Sequence, residues 1–119
     1  MLKILKLILC VLLTTSSFSC KKANQDLLIC GINDPLNNLK WLNAEFKSIA
    51  STPQINAIVL FDYNGNQVVE IQKSLSSSTN QSQYNCDGIK IDFNNTSDFN
   101  NYKQNRKELK VLFGTKIWN

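Results

Sequence analysis

Cysteine is the residue type in this chain with the most distinctive chemistry. The four cysteines are Cys10, Cys20, Cys30 and Cys86. Cys10 lies in a stretch, Ile4–Leu13, that is apolar apart from Lys6; it follows a short basic start and precedes a segment of mostly small polar residues. This is the order of regions in a secretory signal. The apolar stretch is about half of the roughly 20 residues that a membrane-spanning helix needs. We therefore expect residues 1–19 to be a cleaved signal peptide.

Two processing routes are open at the end of that signal. Ser17-Phe18-Ser19-Cys20 resembles a bacterial lipobox, in which a lipid-modified cysteine becomes the first residue of the mature protein, although Ser17 stands where leucine is typical. The alternative is ordinary cleavage, because Ser17 and Ser19 are small at the two positions that a conventional signal peptidase inspects.

The number of cysteines favours the lipid-modified route. Removal of residues 1–19 leaves Cys20, Cys30 and Cys86, and an odd number of thiols in an oxidising compartment leaves one without a partner. If Cys20 carries an acyl chain such as palmitate, Cys30 and Cys86 remain as a disulfide pair. In the chain-entropy model a loop of this length contributes roughly 4 kcal/mol of stability; the alternative is two buried free thiols. We expect an exported protein, anchored by lipid to the periplasmic or cell-surface face of a bacterial membrane.

The residues most often used in catalysis and metal binding are scarce. The chain has no histidine, the commonest general base and metal ligand, and it has no glycine-rich phosphate loop and no Cys-x-x-Cys motif. The segment 62–66 begins like a calcium loop, but Gln67 and Lys73 stand where that loop requires glycine and glutamate. We interpret the segment as a hairpin turn and predict no catalytic residue, no metal site and no cofactor.

The leading hypothesis is therefore a non-enzymatic envelope lipoprotein that acts as a binding or interaction module for an envelope protein or glycan. The first alternative is a hydrolase or carbohydrate-active enzyme that uses carboxylates alone. It requires two carboxylates to converge in one pocket, and the candidates are Asp62, Glu70, Asp87, Asp92 and Glu108. The second alternative is a purely structural lipoprotein.

Charge excludes one class of partner and indicates one candidate surface. With 13 basic and 9 acidic residues the net charge is +4, and without the signal's two lysines it is +2, which is too low to indicate nucleic-acid binding. Lys103, Lys107 and Lys110 are spaced to share one helical flank, with Arg106 beside them. The functional interpretation is contact with anionic headgroups or an acidic partner, and the alternative is a solvated face.

The first element predicted in the mature chain is a helix from Asp34 to about Ser51. Asp34 can cap the helix and Pro35 suits its first position. One apolar stripe follows at steps of three and four: Leu36, Leu39, Leu42, Phe46 and Ile49. The helix should stop before Pro53, because the residue preceding a proline disfavours helical geometry.

Two hairpins are predicted after this helix. The segment Ile55–Tyr63 is apolar on both faces, which is typical of a central strand, and Asn64-Gly65 is a strong hairpin signal leading into Gln67–Lys73. A second hairpin turns at Asp87-Gly88, where the alternating pattern over residues 89–93 predicts a half-buried strand.

The C-terminal region allows two interpretations. Ser97 can cap a helix that either continues to Gly114 or ends near Lys107, leaving residues 109–113 to alternate as a strand. Val111 lies off the helical stripe and favours the shorter helix, and Lys116–Trp118 is predicted as a closing edge strand.

The predicted fold is α+β, with an N-terminal helix packed on a small antiparallel sheet. Residues 20–29 carry the lipidated cysteine and a tether, and residues 30–119 form one domain.

The segment Cys30–Leu42 resembles the opening of the mature domain in a group of small lipoproteins from Bacteroidetes-type bacteria. Those chains open with Cys-Gly…Asn-Pro-Leu…Leu-Pro-Trp-Leu, and the similarity returns at Tyr84–Gly88 and at Ile117-Trp118. The resemblance implies a lipid anchor and a compact α+β domain, and it implies no activity. Lys40 replaces a usual proline, and the relatives' further cysteines near the second hairpin are missing, which affects the disulfide pattern and not the fold.

Overall fold

The computed structural model describes residues 27–119, which form three helices and four strands. The elements are α1 (Pro35–Asn38), α2 (Lys40–Ile49), β1 (Asn56–Tyr63), β2 (Asn66–Lys73), β3 (Gln83–Tyr84), α3 (Thr96–Asn105) and β4 (Lys107–Gly114). The strands form one antiparallel sheet in the order β3-β2-β1-β4. The predicted α+β class and antiparallel sheet are confirmed.

The predicted signal peptide, Cys20 and most of the tether lie outside the described residues. Among the helices described, none is long and apolar enough to cross a membrane.

Strand β1 is the centre of the sheet, as its sequence predicts. Ile58 and Leu60 are buried on one face, which also holds α2, whereas Val59 and Phe61 are buried on the other. The connection from β1 to β2 is the predicted two-residue turn. Asn64 and Gly65 have φ angles of 53° and 81°, the left-handed geometry that a tight hairpin requires.

The predicted N-terminal helix is interrupted at Leu39, which is extended (φ −95°, ψ 107°) and separates α1 from α2. Asp34 and Pro35 stand at the predicted N-cap and first positions, but Asp34 has a φ of 49° and its side chain makes no capping bond. The Asn43 side-chain amide donates to the carbonyl of Leu36 at 2.8 Å, which satisfies a carbonyl that the end of α1 leaves open. The stripe nevertheless faces one core, where Leu42 and Ile49 are buried with residues of β1 and β2.

Helix α3 covers the opposite face of the sheet. Phe99 and Tyr102 of α3 are buried together with Val68 and Phe93. The capping residue is Asn95 rather than Ser97: the Asn95 side chain accepts a hydrogen bond from the Ser97 backbone N–H at 2.8 Å. The chain becomes extended immediately after α3 and forms β4, so the shorter of the two predicted helices is the correct one.

Two predicted strands are wrong. Residues 89–93 contribute one bridge, between Lys90 and Tyr84, rather than a paired strand. Phe93 is instead drawn onto the ring of Tyr102, with centroids 4.7 Å apart. The segment 116–118 is not a strand either, because its backbone N–H groups bond to a side chain: those of Ile117 and Trp118 donate to Oε1 of Gln72.

Candidate functional site

A disulfide fixes the loop that follows β3 to the segment that precedes α1. Cys30 and Cys86 are bonded, with their Cα atoms 5.3 Å apart, which confirms the predicted pair. The Trp41 indole N–H donates to the carbonyl of Cys86 at 2.9 Å. The Trp41 ring also lies against Gly88, where an added Cβ would be 2.6 Å from a ring carbon. The loop is therefore held by both a covalent bond and helix α2.

A single side chain fixes the N-terminal segment to β2. The Gln67 side-chain oxygen accepts from the backbone N–H of Cys30 at 2.6 Å, and its amide nitrogen donates to the carbonyl of Leu28 at 3.0 Å. Both halves of the amide are thus used, and the strand, the disulfide and the segment entering the fold become one rigid unit.

This rigid unit forms one wall of an open cleft next to the β1–β2 turn, which we call the inter-turn cleft. Its volume is about 470 Å³. The side chains that give it its character are Tyr63, Asn64, Asn66, Asn85, Asp87 and Ile91. It therefore combines amides, one carboxylate, one aromatic ring and the aliphatic side chains of Val68 and Ile91, and none of the described residues that line it is a cation.

Some polar side chains of the inter-turn cleft are already hydrogen-bonded within the protein, and others are free to bind a ligand. The Asn85 side-chain oxygen accepts from the backbone N–H groups of Asp87 and Ile89 at 2.9 and 3.0 Å, which shapes the turn. Within residues 27–119, no hydrogen bond occupies the side chains of Asn64 and Asn66. Each free amide offers two donor hydrogens and an acceptor oxygen.

The aromatic member of the cleft is held in place from behind. The Tyr63 hydroxyl accepts from the side-chain amide of Asn101 at 2.7 Å, and its ring packs edge-on against Tyr102, with centroids 5.2 Å apart. A rigid ring beside free amides can hold a ligand that has both an apolar face and hydroxyl or amide groups.

The five carboxylates considered for acid–base chemistry are placed differently. Asp87 lines the inter-turn cleft, and within the described part of the chain no second carboxylate joins it there. The Asp62 and Asp92 side chains accept from backbone N–H groups of their own turns. Glu108 pairs with Lys116 at 2.7 Å on the surface, and Glu70 is fully buried.

The predicted cationic flank is not formed as one helical face. Lys103 is on α3, with its ammonium 4.8 Å from the centre of the Phe99 ring, but Lys107 and Lys110 belong to β4. Arg106 is not on the surface, because its side chain is 3% exposed and pairs with Glu70. The prediction is wrong because the chain leaves helical geometry at Arg106.

Arg106 and Glu70 belong to a buried set of polar side chains, the Glu70 cluster, which sequence reasoning missed. The carboxylate accepts hydrogen bonds from the side chains of five residues: Gln72, Gln83, Tyr102, Arg106 and Trp118. The Arg106 guanidinium also lies over the ring of Phe61, 4.0 Å from its centre. Burial, and then the charge of Glu70, raise the pKa of Tyr102 above its usual range.

Both oxygens of the buried Glu70 carboxylate are saturated with donors inside the core, which compensates the cost of burying its charge. One sequence signal could have revealed the Glu70 cluster. Glu70 alternates with Val69 and Ile71 and so shares a strand face with Val68 and Gln72, directly opposite the apolar residues of β1.

Comparisons of this chain with protein-family models, with curated proteins and with solved structures gave no match.

Proposed function

We propose that this chain is a non-enzymatic, lipid-anchored protein of a bacterial envelope, which uses the inter-turn cleft to bind a neutral polar ligand such as a glycan segment. The observation that carries the proposal is the disulfide between Cys30 and Cys86. Disulfides form and persist in oxidising compartments, which supports export. The pairing of Cys30 with Cys86 leaves Cys20 as the one cysteine without a partner once residues 1–19 are removed. This supports the acylation of Cys20.

The composition of the inter-turn cleft supports binding rather than hydrolysis. Hydrolysis of a glycosidic bond by carboxylates alone requires a pair of them on either side of the bond. The cleft contributes Asp87 alone, while the free amides of Asn64 and Asn66 can both donate and accept. A ligand rich in hydroxyl or amide groups matches such a surface, and the described residues bring no cation to the cleft, which disfavours an anionic ligand.

The anchor is tested by detergent phase partitioning of the expressed full chain. The wild type should enter the detergent phase, whereas Cys20→Ala should remain in the aqueous phase or as unprocessed precursor. Cys10→Ala is the matched control, because it removes a thiol from the signal and should leave partitioning unchanged. A wild-type protein found in the aqueous phase would refute the anchor.

Binding is tested on an array of neutral oligosaccharides, with Asn66→Ala and Asp87→Ala compared with the wild type. Each substitution removes hydrogen bonds to the ligand, and we expect about a tenfold weaker retention on the array. Asn100→Ala, on the exposed surface of α3, should bind like the wild type. Equal binding by all four proteins, or binding to none of the glycans, would contradict the assigned site.

A further inference from the structure

Two adjacent leucines are exposed at the point where the chain enters the fold. The exposed fractions of Leu27 and Leu28 are 48% and 51%, whereas that of the next residue, Ile29, is 3%. Single exposed leucines are common on proteins. A consecutive pair at the junction between a tether and a domain is a more specific feature.

The pair is held by a rigid base. The carbonyl of Leu28 accepts from Gln67, and the backbones of Ile29 and Ile32 bond to each other in both directions. Cys30 is then fixed by its disulfide. The two leucine side chains therefore project from a fixed part of the surface and cannot turn inward without breaking these contacts.

The length of the preceding chain limits how far this surface can lie from a membrane. Six residues, 21–26, separate Cys20 from Leu27. Seven residue steps span at most about 25 Å when fully extended. If the lipid on Cys20 is in the bilayer, Leu27 is within that distance of the headgroups in any conformation of the tether.

The surroundings of Leu27 suit the boundary between headgroups and acyl chains. Leu27 lines a groove of about 420 Å³ whose apolar side chains include Ile29, Leu36 and Leu112. Lys110 and Asp34 are the charged residues at this groove. An apolar surface with a lysine beside it can insert its leucines shallowly while the ammonium contacts lipid phosphates.

We propose that Leu27, Leu28 and Lys110 form the membrane-facing surface of this protein, and that their partner is the headgroup layer of the bilayer that holds the lipid anchor. This inference rests on the proposed acylation of Cys20. It also places the inter-turn cleft close to the bilayer, because Gln67 contacts Leu28 and lines the cleft. The ligand would then be met at the membrane surface.

The fold provides a matched control in Leu75, which is 88% exposed. Leu75 follows the end of β2 that pairs with the start of β1, whereas Leu28 contacts Gln67 at the other end of β2. The six residue steps from Gln67 to Lys73 correspond to about 20 Å along the strand. The two sites therefore share the residue type, are both exposed, and differ in distance from the proposed membrane surface.

The test uses the full chain, expressed so that it can be acylated, and reconstituted into vesicles of phosphatidylethanolamine and phosphatidylglycerol. Part of the lipid carries bromine near the top of the acyl chains, which quenches the fluorescence of nearby tryptophan. Leu27→Trp and Leu28→Trp should lose a larger fraction of their emission than the wild type, and Leu75→Trp should not. Equal quenching of the three variants would overturn the proposal.

A second measurement on the unsubstituted protein does not depend on the folding of variants. Labelling of Lys110 by an amine-reactive reagent should fall on transfer from detergent into the vesicles, while that of Lys73, at the far end of β2, should not. Unchanged labelling of Lys110 would also overturn the proposal. Intact mass distinguishes failure of the two proposals. An unacylated chain would contradict both the lipid anchor and the membrane-facing surface, whereas an acylated chain with no local protection would contradict the membrane-facing surface alone.

Discussion

The two faces of the sheet are stabilised in different ways. On the face covered by α2, the core is apolar, with Ile58, Leu60, Val69 and Ile71 packed against the helix, and the disulfide closes its edge. On the face covered by α3, the same two strands bury a charged side chain, Glu70, under a layer of aromatic rings.

This difference shows how one face of a sheet can tolerate substitutions while the other specifies a single packing arrangement. Apolar packing has no direction, so volume-conserving changes on the α2 face should be accommodated. A buried carboxylate is stable only when its donors are in place, so the α3 face admits one arrangement of α3 and the C-terminal segment. Four experiments test this difference between the two faces.

The largest effect is expected from Glu70→Ala. Removal of one partner of a buried ion pair leaves the other charge uncompensated, and we expect about 3–5 kcal/mol of lost unfolding free energy, measured by urea denaturation. Glu108→Ala is the matched control, because its ion pair with Lys116 is exposed and should change stability by less than about 1 kcal/mol. Similar effects of the two substitutions would mean that the Glu70 cluster does not specify the α3 face.

Loss of the disulfide should have an effect of similar size or slightly smaller, on the α2 face. Replacement of Cys30 and Cys86 together by alanine opens a loop of 56 residues in sequence separation. We expect a loss of about 2–5 kcal/mol. Reduction of the wild type should produce the same loss, and reduction should leave the double variant unchanged. A wild type whose denaturation midpoint is unaffected by reductant would contradict this prediction.

The contact of the loop with α2 is examined by Gly88→Ala. Gly88 has a φ of 79°, and a methyl group there meets the Trp41 ring. We expect a loss of about 2–4 kcal/mol from backbone strain and overpacking combined. Gly65→Ala has a similar φ of 81° with nothing within 4 Å, and should lose only about 1–2 kcal/mol. Equal losses of stability for the two substitutions would show that the contact between Gly88 and the Trp41 ring does not contribute to the effect.

The smallest effect is the pH dependence of the α3 face. The pKa of Tyr102 is raised in the folded state, so above about pH 10 the unfolded chain releases this proton and the folded chain keeps it. The stability contribution is fully present below pH 10 and is lost above it, by about 1.4 kcal/mol per pH unit. Tyr102→Phe should remove that part of the slope. Burial also raises the pKa of Tyr84, so Tyr84→Phe is the parallel measurement on the other face. An identical slope for Tyr102→Phe and the wild type would contradict the prediction.

Local signals predicted the parts of this fold that local physics determines. The Asn64-Gly65 turn requires left-handed backbone geometry that these two residue types tolerate, and the apolar run of β1 fits only a strand buried on both faces. The disulfide was predicted from the number of cysteines, because an expected signal peptide and one expected lipid-modified residue leave two.

Contacts between distant residues determined the parts that the sequence did not predict. Arg106 looks like one of several surface cations, and only the meeting of α3 with β2 reveals its partner, Glu70, 36 residues away. The strand predicted at residues 89–93 was lost because Phe93 packs among the aromatic rings of the α3 face. The interruption of the predicted helix at Leu39 occurs without a proline or glycine that would have indicated it. The inter-turn cleft likewise lies between two turns that the disulfide, Gln67 and the pairing of β2 with β3 bring together.

We propose that export leaves two cysteines bonded to each other and the third bonded to lipid. Intact-mass spectrometry of the membrane-extracted protein, before and after reduction, tests it directly. We expect a chain that begins at Cys20, carries the added mass of acyl groups, and gains two hydrogen atoms on reduction. A chain that retains residues 1–19, or one that begins at Cys20 without any added mass, would contradict it.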